Sequence, residues 1–433
     1  MARILIIGAT GFIGSHLATD LKKAGHVIIA CARDISRAKN MFPQTEVIKC
    51  DFSKDVSIDD WIPRLKDIDV VLNCVGILYH PFKSEIWKIH YDIPKAIYDA
   101  CVKTGVDRII HISALGVDKS DVEYATSKKA AEEYLQSLSI ASIILRPSLV
   151  YGRGSYGGTS LFRGLAGLPF VLPVPGKGEQ TFQPIHLDDL SLTMQILIDM
   201  PVEKSLLLTA VGQEQITLIN ILKIIRSWLG FQKAITLFIP YFFIRVGSFI
   251  GNLIPNSAMN TTSYKMMRLN NIASVEQTQH FHDTVGFIPR PFAAGVYSKP
   301  STVQDHWHAR LFFLKDFLQF ALAFVWIFSG IVSAFFYPLQ GSFFILDKMG
   351  FPTSMHASLL YSASALDVLL GLWMLIGWKP RLVSSLQIAV MLGYTFLITW
   401  KFPAMWNDPL AGVAKNLPIL AATLVFMAIC VDR

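Results

Sequence analysis

A chain of 433 residues exceeds the roughly 100 to 200 residues of a typical single domain, so two units are expected. Only 16% of its residues are charged and 52% are hydrophobic, against a charged fraction of roughly 25% in an average soluble protein, and the deficit is concentrated after Arg310, where four apolar stretches follow one another. The net charge of +7 comes with no run of Lys and Arg interleaved with aromatics, which argues against nucleic acid, and the five cysteines (Cys31, Cys50, Cys74, Cys101, Cys430) form no CxxC pair, which argues against a redox or metal role.

The first six apolar-rich residues after the start, "RILIIG" (3–8), form a short run bounded by glycine, as a buried parallel strand does; "SHLATDLKKAG" then has helical periodicity and a terminal glycine. The run is too short and too rich in glycine for a signal-peptide core, so the first unit is expected in the cytoplasm. Between strand and helix, Gly8, Gly11 and Gly14 recur every three residues. Without Cβ atoms the turn can close, a pyrophosphate can approach the backbone, and the helix can pack on the strand with its N-terminus towards the anion. The second strand, "HVIIACAR", lacks a terminal acid to accept from an adenosine ribose. Arg33, with Arg37 one turn later, instead suits a 2′-phosphate, which favours NADP(H) over NAD(H).

Two more strands follow. "EVIKCDF" ends at Asp51 and Phe52, where an adenine would lie, and "DVVLNCVGI" carries Asn73 and Gly76 towards the cofactor. With "RIIHISALG" the alternation of β and α units builds a doubly wound parallel sheet. In "YATSKKAAEEYL", Tyr124 and Lys128 are four apart and share one helical face. A nearby ammonium lowers a phenol's pKa, so the tyrosine can exchange a proton with a carbonyl or hydroxyl while the lysine holds the nicotinamide ribose. Ser113, at the preceding strand end, can polarise the same oxygen.

Residues 1 to about 295 resemble the extended or atypical short-chain dehydrogenases/reductases, on "GATGFIG", "CARD", "DF", "HISALG", "YATSK", "ILRPSLVYGRG" and "TFQPIHLDDL" in the family's order. The resemblance implies a Rossmann sheet with a small substrate lobe. It implies Tyr124 as general acid/base, Lys128 as its partner and Ser113 as the hydroxyl contributor. It also implies cofactor contacts from Gly8, Thr10, Gly11, Phe12, Ile13 and Gly14, and from Pro147 and Ser148 near the nicotinamide. "SALG" departs from the pattern, because well-studied extended members carry Ser or Thr a few residues further on; Ser113 is therefore the weaker assignment. Epimerase or dehydratase chemistry uses the same pair. Some atypical members, an accessory subunit of respiratory complex I among them, bind NADPH without turnover.

The later "TSLFRGLAGLPFVLPVPGKGEQTFQPIHLDDL" suits either a greasy substrate or the core of the smaller lobe. His186 is expected to bond within the scaffold. "LFIPYFFIRVGSFIGNLIP", broken by Pro240 and Arg245, reads as a buried or membrane-facing surface helix rather than a span. Beyond it, about 312–336, 356–378, 381–400 and 411–431 reach spanning length. Lys379 and Arg381 between the second and third spans, and Arg433 after the fourth, place themselves, the dehydrogenase unit and the C-terminus in the cytoplasm by the positive-inside rule. This half resembles the DoxX-like family, with "WIFSGI" as its local signature, and implies an all-α four-helix transmembrane bundle. Asp367 stands within a span, where a carboxyl marks either a functional site or a hydrogen-bonded packing residue.

The domains expected are thus 1–300 (dinucleotide-binding) and 301–433 (membrane). The function expected is an NADP(H)-dependent oxidoreductase in a bacterial inner membrane. It would act on a carbonyl or hydroxyl of a hydrophobic small-molecule substrate drawn from membrane lipid, with a homo-oligomer or a membrane complex open as its assembly. The rival is an NADPH-binding regulatory or assembly protein docked on a membrane complex.

Overall fold

The structure, a computed structural model, describes residues 1–155, 158–252, 259–409 and 412–430. It divides into two compact units, Met1–Ala309 and Arg310–Arg433.

In the first unit, strands β1 (Arg3–Ile7), β2 (Val27–Ala32), β3 (Glu46–Lys49), β4 (Val70–Asn73), β5 (Arg108–Ile112) and β6 (Ala141–Pro147) join a last strand, Ser205–Ala210, in one seven-stranded sheet. The order is Ser205–Ala210, β6, β5, β4, β1, β2, β3, and every pairing is parallel. A sheet covered on both faces needs continuous apolar strands, and β1 shows why. Ile4 and Ile6 point to one face and Leu5 and Ile7 to the other, all four fully buried. Each contributes about 1.5–3 kcal/mol relative to exposure.

The helices are α1 (Phe12–Lys23), α2 (Ile35–Met41), α3 (Ile58–Trp61), α4 (Lys83–Trp87), α5 (Ile93–Thr104), α6 (Glu123–Ser137), α7 (Gly158–Ala166), α8 (Leu187–Asp199), α9 (Leu218–Trp228), α10 (Tyr241–Gly251), α11 (Thr261–Met267), α12 (Val275–Val285) and α13 (Phe292–Tyr297). Leu17 and Leu21 of α1, Met194 of α8 and Phe281 of α12 cover the Ile4 face; Trp61 of α3, Ile97 of α5 and Leu135 of α6 cover the Leu5 face. The chain leaves β1 towards β2 and β3, then returns to β4 on the other side of β1. That reversal opens a crevice at the strand ends, between the loops after β1 and β4, where ligands of such sheets bind. Short strand pairs (Val150–Tyr151 with Ile185–His186, Val171–Pro175 with Ile235–Ile239) build the smaller lobe.

The second unit is helical. Among the described residues three stretches are long and apolar enough to cross a membrane: Val303–Phe336, which begins in the first unit, then Thr353–Ile376 and Pro380–Lys401. The expected fourth span is shorter. Its described helix, Asn416–Ile429, has 14 residues, about 21 Å at 1.5 Å per residue against a hydrocarbon core of roughly 30 Å. The ends of the expected span, residues 411 and 431, lie outside the described residues, as does Arg433, on which the expected sidedness of the C-terminus rests together with Lys379 and Arg381. A short helix, Leu339–Met349, that the sequence reading left out follows the first span. Gly330 and Gly371 let two spans approach closely: a Cβ on Gly330 would stand 2.5 Å from the Ser364 carbonyl, and one on Gly371 2.9 Å from that of Ala323. Asp367 is buried inside this bundle and accepts a long 3.4 Å hydrogen bond from the Tyr394 hydroxyl.

Candidate active site

The turn after β1 is built by steric necessity. Gly8 sits at φ +83°, in the left-handed region, and the Gly11 amide donates to its carbonyl at 3.0 Å. A Cβ on Gly14 would collide with that same carbonyl. Gly11 is the N-cap of α1 and no side chain caps the helix, so the amides of its first turn, Phe12, Ile13 and Gly14, face an end of the helix that favours an anion. Thr10 lies half-buried in the same turn. The cradle fits a dinucleotide pyrophosphate.

On the other side of the crevice, α6 carries Tyr124 and Lys128. The Lys128 ammonium is buried and donates to the Ile112 carbonyl at the end of β5 (3.0 Å), 5.9 Å from the centre of the Tyr124 ring. A Cβ on Gly76 would lie 3.3 Å from Lys128 Nζ, so this glycine keeps the loop after β4 against the amine. Ser113 follows Ile112. Its hydroxyl is buried and has no hydrogen-bond partner among the described residues, an orphan that a ligand oxygen would satisfy. Ala114 and Tyr124 pack on the same small cluster of Val117, Val122 and Ala125.

Burial governs the titration of the pair. It pushes the Tyr124 phenol up to about 12 and pulls Lys128 down to about 8, against the Glu132 carboxylate one turn on. The expectation of a phenol lowered by the ammonium is therefore not met, because desolvation dominates at Tyr124.

Sequence reading missed His90. Its Nε2 accepts from the Ile77 amide (3.1 Å), its Nδ1 pairs with Ser127 Oγ (2.9 Å), and its ring meets Tyr124 edge-on at 5.5 Å. Burial and the Lys128 charge pull the imidazole down to about 2, so it stays neutral. Local backbone chemistry sets its place. Pro94 has no amide to give the His90 carbonyl four residues back, and the helix between α4 and α5 widens to a π turn over Lys88–Asp92, with Ile93 N–H bonding to the Lys88 carbonyl. That proline was the one signal in the sequence.

The remaining predicted positions separate. Gly76 borders Lys128, but Asn73 turns inward, donating to Tyr98 (3.2 Å) and lying 3.3 Å from His111 Nδ1. Arg33 and Arg37 are exposed and form no salt bridge among the described residues; Asp34 between them caps α2 by accepting from the Arg37 amide (2.9 Å). Asp51 accepts from the Ser53 amide and hydroxyl, which hold its carboxyl below the usual range. Phe52 stands edge-on to Trp61 at 6.0 Å. The Pro147 carbonyl accepts from Leu115 N–H at 2.9 Å, and the Ser148 hydroxyl donates to the Gln183 carbonyl. His186 accepts from the Asp188 amide (3.2 Å) and caps α8.

Residues 4–205 match the NAD dependent epimerase/dehydratase family, and residues 323–424 match the DoxX-like family. The first match falls within the first unit and the second within the second. Among curated relatives, the 40 kDa subunit of mitochondrial NADH-ubiquinone oxidoreductase from Neurospora crassa is 24% identical over 45% of this chain and 51% of its own length. Ceramide reductase from Caulobacter vibrioides is 27% identical over 46% of this chain and 62% of its own. The chain thus spans about half the length of the curated relatives it matches first: 51% and 50%. MoeE5, solved with UDP-glucuronic acid and NAD, superposes with a TM-score of 0.53 at 19% identity, over 69% of this chain and 97% of that one, and shares the fold.

The first unit also holds a cavity of about 240 Å³ in its smaller lobe. Tyr151, Phe162, Trp228 and Phe292 form its apolar wall and Arg153 and Arg163 its cationic part; Tyr124, Lys128 and Ser113 do not line it. The cavity and the Tyr124–Lys128 pair are therefore distinct places in the first unit.

Proposed function

We propose that the chain is a membrane-tethered NADP(H)-dependent oxidoreductase acting on a carbonyl or hydroxyl of a lipid, isoprenoid or quinone-like substrate at the cytoplasmic face of a bacterial inner membrane. The observation that supports the reading is the buried pair Ser113 and Lys128 beside the half-buried Tyr124, with Gly76 against the amine and the Ser113 hydroxyl left over for a ligand oxygen. Gly8, Gly11, Gly14 and the first turn of α1 would hold the pyrophosphate; Gly76 and Lys128 would border the nicotinamide ribose. The cofactor would supply the hydride. Tyr124, kept protonated by burial, donates its proton to the substrate oxygen in the reductive direction, and Ser113 donates a second hydrogen bond to that oxygen. Lys128 holds the ribose and the local positive charge. The relative named ceramide reductase supports a lipid-like substrate.

Two measurements probe the cofactor and the lysine. Arg33→Ala with Arg37→Ala is expected to weaken NADPH binding about 10- to 100-fold, as loss of charge-assisted hydrogen bonds does, and to leave NADH binding within about twofold; calorimetry with both cofactors reads it. Since Lys128 is held near 8, the charged form predominates below that value and is lost above it. kcat/KM should therefore fall about tenfold per unit at pH above about 8, and a flat alkaline limb would remove Lys128 from its role.

The relative from the NADH-ubiquinone oxidoreductase favours a second reading, an NADPH-binding assembly subunit of a membrane complex. Deuterium-labelled NADPH incubated with the detergent-purified chain and a membrane lipid and quinone extract separates the two. Label in one extract component, absent with Tyr124→Phe, supports the oxidoreductase; tight NADPH binding with no transfer supports the assembly subunit.

A further inference from the structure

The strand Ile235–Ile239 pairs on one side only and leads through Pro240 into α10. Ile235 and Phe238 on the strand, and Phe242, Phe243, Val246 and Phe249 on the helix, are exposed, Phe242 and Phe249 at 69%. Phe170, whose carbonyl accepts from the Ile235 amide at 2.9 Å, is 83% exposed and held at φ +62°, a conformation an aromatic residue adopts only at a cost. The outward residues of α10 recur at positions 242, 246 and 249, one helical face. The inward ones are fixed: the Tyr241 hydroxyl accepts from Gln180, its ring covers Gly176, and Ser248 is buried.

Cations rim this face. Lys233, Arg245 and Arg268 are exposed, Arg268 lying 5.3 Å from the Tyr241 ring and 5.9 Å from that of Tyr264; Glu179 is the acidic group beside Tyr241. Soluble surfaces seldom leave so continuous an apolar patch uncovered. An apolar face with basic residues that can reach lipid phosphates suits the boundary between headgroups and acyl chains, and this same chain carries three helices able to cross a bilayer.

We propose that the face made by Phe170, Ile235–Ile239 and α10 lies in the headgroup layer of the bilayer that anchors the chain, and that it brings the Tyr124 site beside lipid-soluble substrate. The link to the site is α11. Asn252, just after α10, bonds to Thr261 at the start of α11 (3.0 and 3.2 Å), and Met266 near its end packs on the cluster that Tyr124 shares. Lys265 pairs with Asp121, just ahead of α6, at 3.5 Å. The placement in lipid stands on the surface alone; the delivery of substrate rests on the oxidoreductase reading.

The full chain in phosphatidylethanolamine/phosphatidylglycerol vesicles tests it, with an environment-sensitive fluorophore on Phe242→Cys, Phe249→Cys or, as control, Val275→Cys, which is exposed on α12. Brominated acyl chains should quench the first two labels by about half or more and the control little. Quenching no greater than the control overturns the placement, and so does shielding from aqueous iodide without bromine quenching, which marks a protein partner such as a second copy. Because depth is read without turnover, this result is independent of whether the chain is an enzyme. Phe242→Ser with Phe249→Ser should then keep NADPH binding and lower deuterium transfer to the extract about tenfold; unchanged transfer overturns the delivery.

Discussion

Tyr124→Phe is expected to lower turnover about a hundred- to ten-thousand-fold, the usual contribution of a positioned proton donor, with NADPH affinity changed by less than about twofold. The substitution removes one oxygen. The ring keeps its place against Val117, Val122 and Ala125 and its edge contact with His90, so the fold and the cofactor cradle, which belong to the turn after β1, are preserved. Ser113→Ala should cost less, because Ser113 only donates a hydrogen bond to the same oxygen. Equal rates for Tyr124→Phe and the parent, measured under saturating NADPH, would assign the proton to another group. His90 would be a poor substitute, since burial keeps its imidazole neutral and both its nitrogens are engaged.

The second large effect concerns the anchor of α6. Glu132, 2% exposed, receives three hydrogen bonds of 2.5–3.1 Å from the Arg146 guanidinium on β6, and Asp118 lies 3.6 Å from the same group. Glu132 is one turn beyond Lys128 as Lys128 is beyond Tyr124, so this pair ties to the sheet the helical face that carries Tyr124 and Lys128. Arg146→Ala should destabilise the first unit by about 3–5 kcal/mol, because a buried carboxylate is left uncompensated. At roughly 2–4 °C per kcal/mol, the melting temperature should drop by about 6–20 °C. Glu132→Leu combined with Arg146→Leu should recover most of that loss, since apolar replacements of a buried pair are often neutral. A drop below about 3 °C in the single variant would show the pair to be solvent-screened.

The elements legible in the sequence are those decided by local sterics and periodicity. Gly8, Gly11 and Gly14 could be read as a tight turn because Gly8 needs a positive φ and a Cβ on Gly14 would meet the Gly8 carbonyl six residues back. Tyr124 and Lys128 could be placed on one face because a helix returns every 3.6 residues, and the parallel sheet followed from alternating strand and helix patterns. The chain-order motifs also sufficed for both domain families. Distance along the chain hid the rest. Asn73 was expected at the cofactor, yet Tyr98 and His111 arrive from other elements to satisfy its amide inside the core. The phenol was expected to be lowered by its lysine, yet desolvation dominates there.

His90 enters the site only because Pro94 widens a helix that packs beside α6, and Arg146 meets Glu132 only when β6 lies under that helix. Composition could not say whether the apolar stretch from 237 was core or surface, since both are apolar; what decides is that Phe242, Val246 and Phe249 of α10 are exposed among the described residues. The sequence by itself determined the glycine turn after β1 and the shared helical face of Tyr124 and Lys128, because each depends on bonds and sterics within a few residues. The tertiary structure decided the charge states, the inward or outward aim of each polar side chain and the exposed apolar face, because desolvation and hydrogen-bond satisfaction depend on neighbours that only folding brings together.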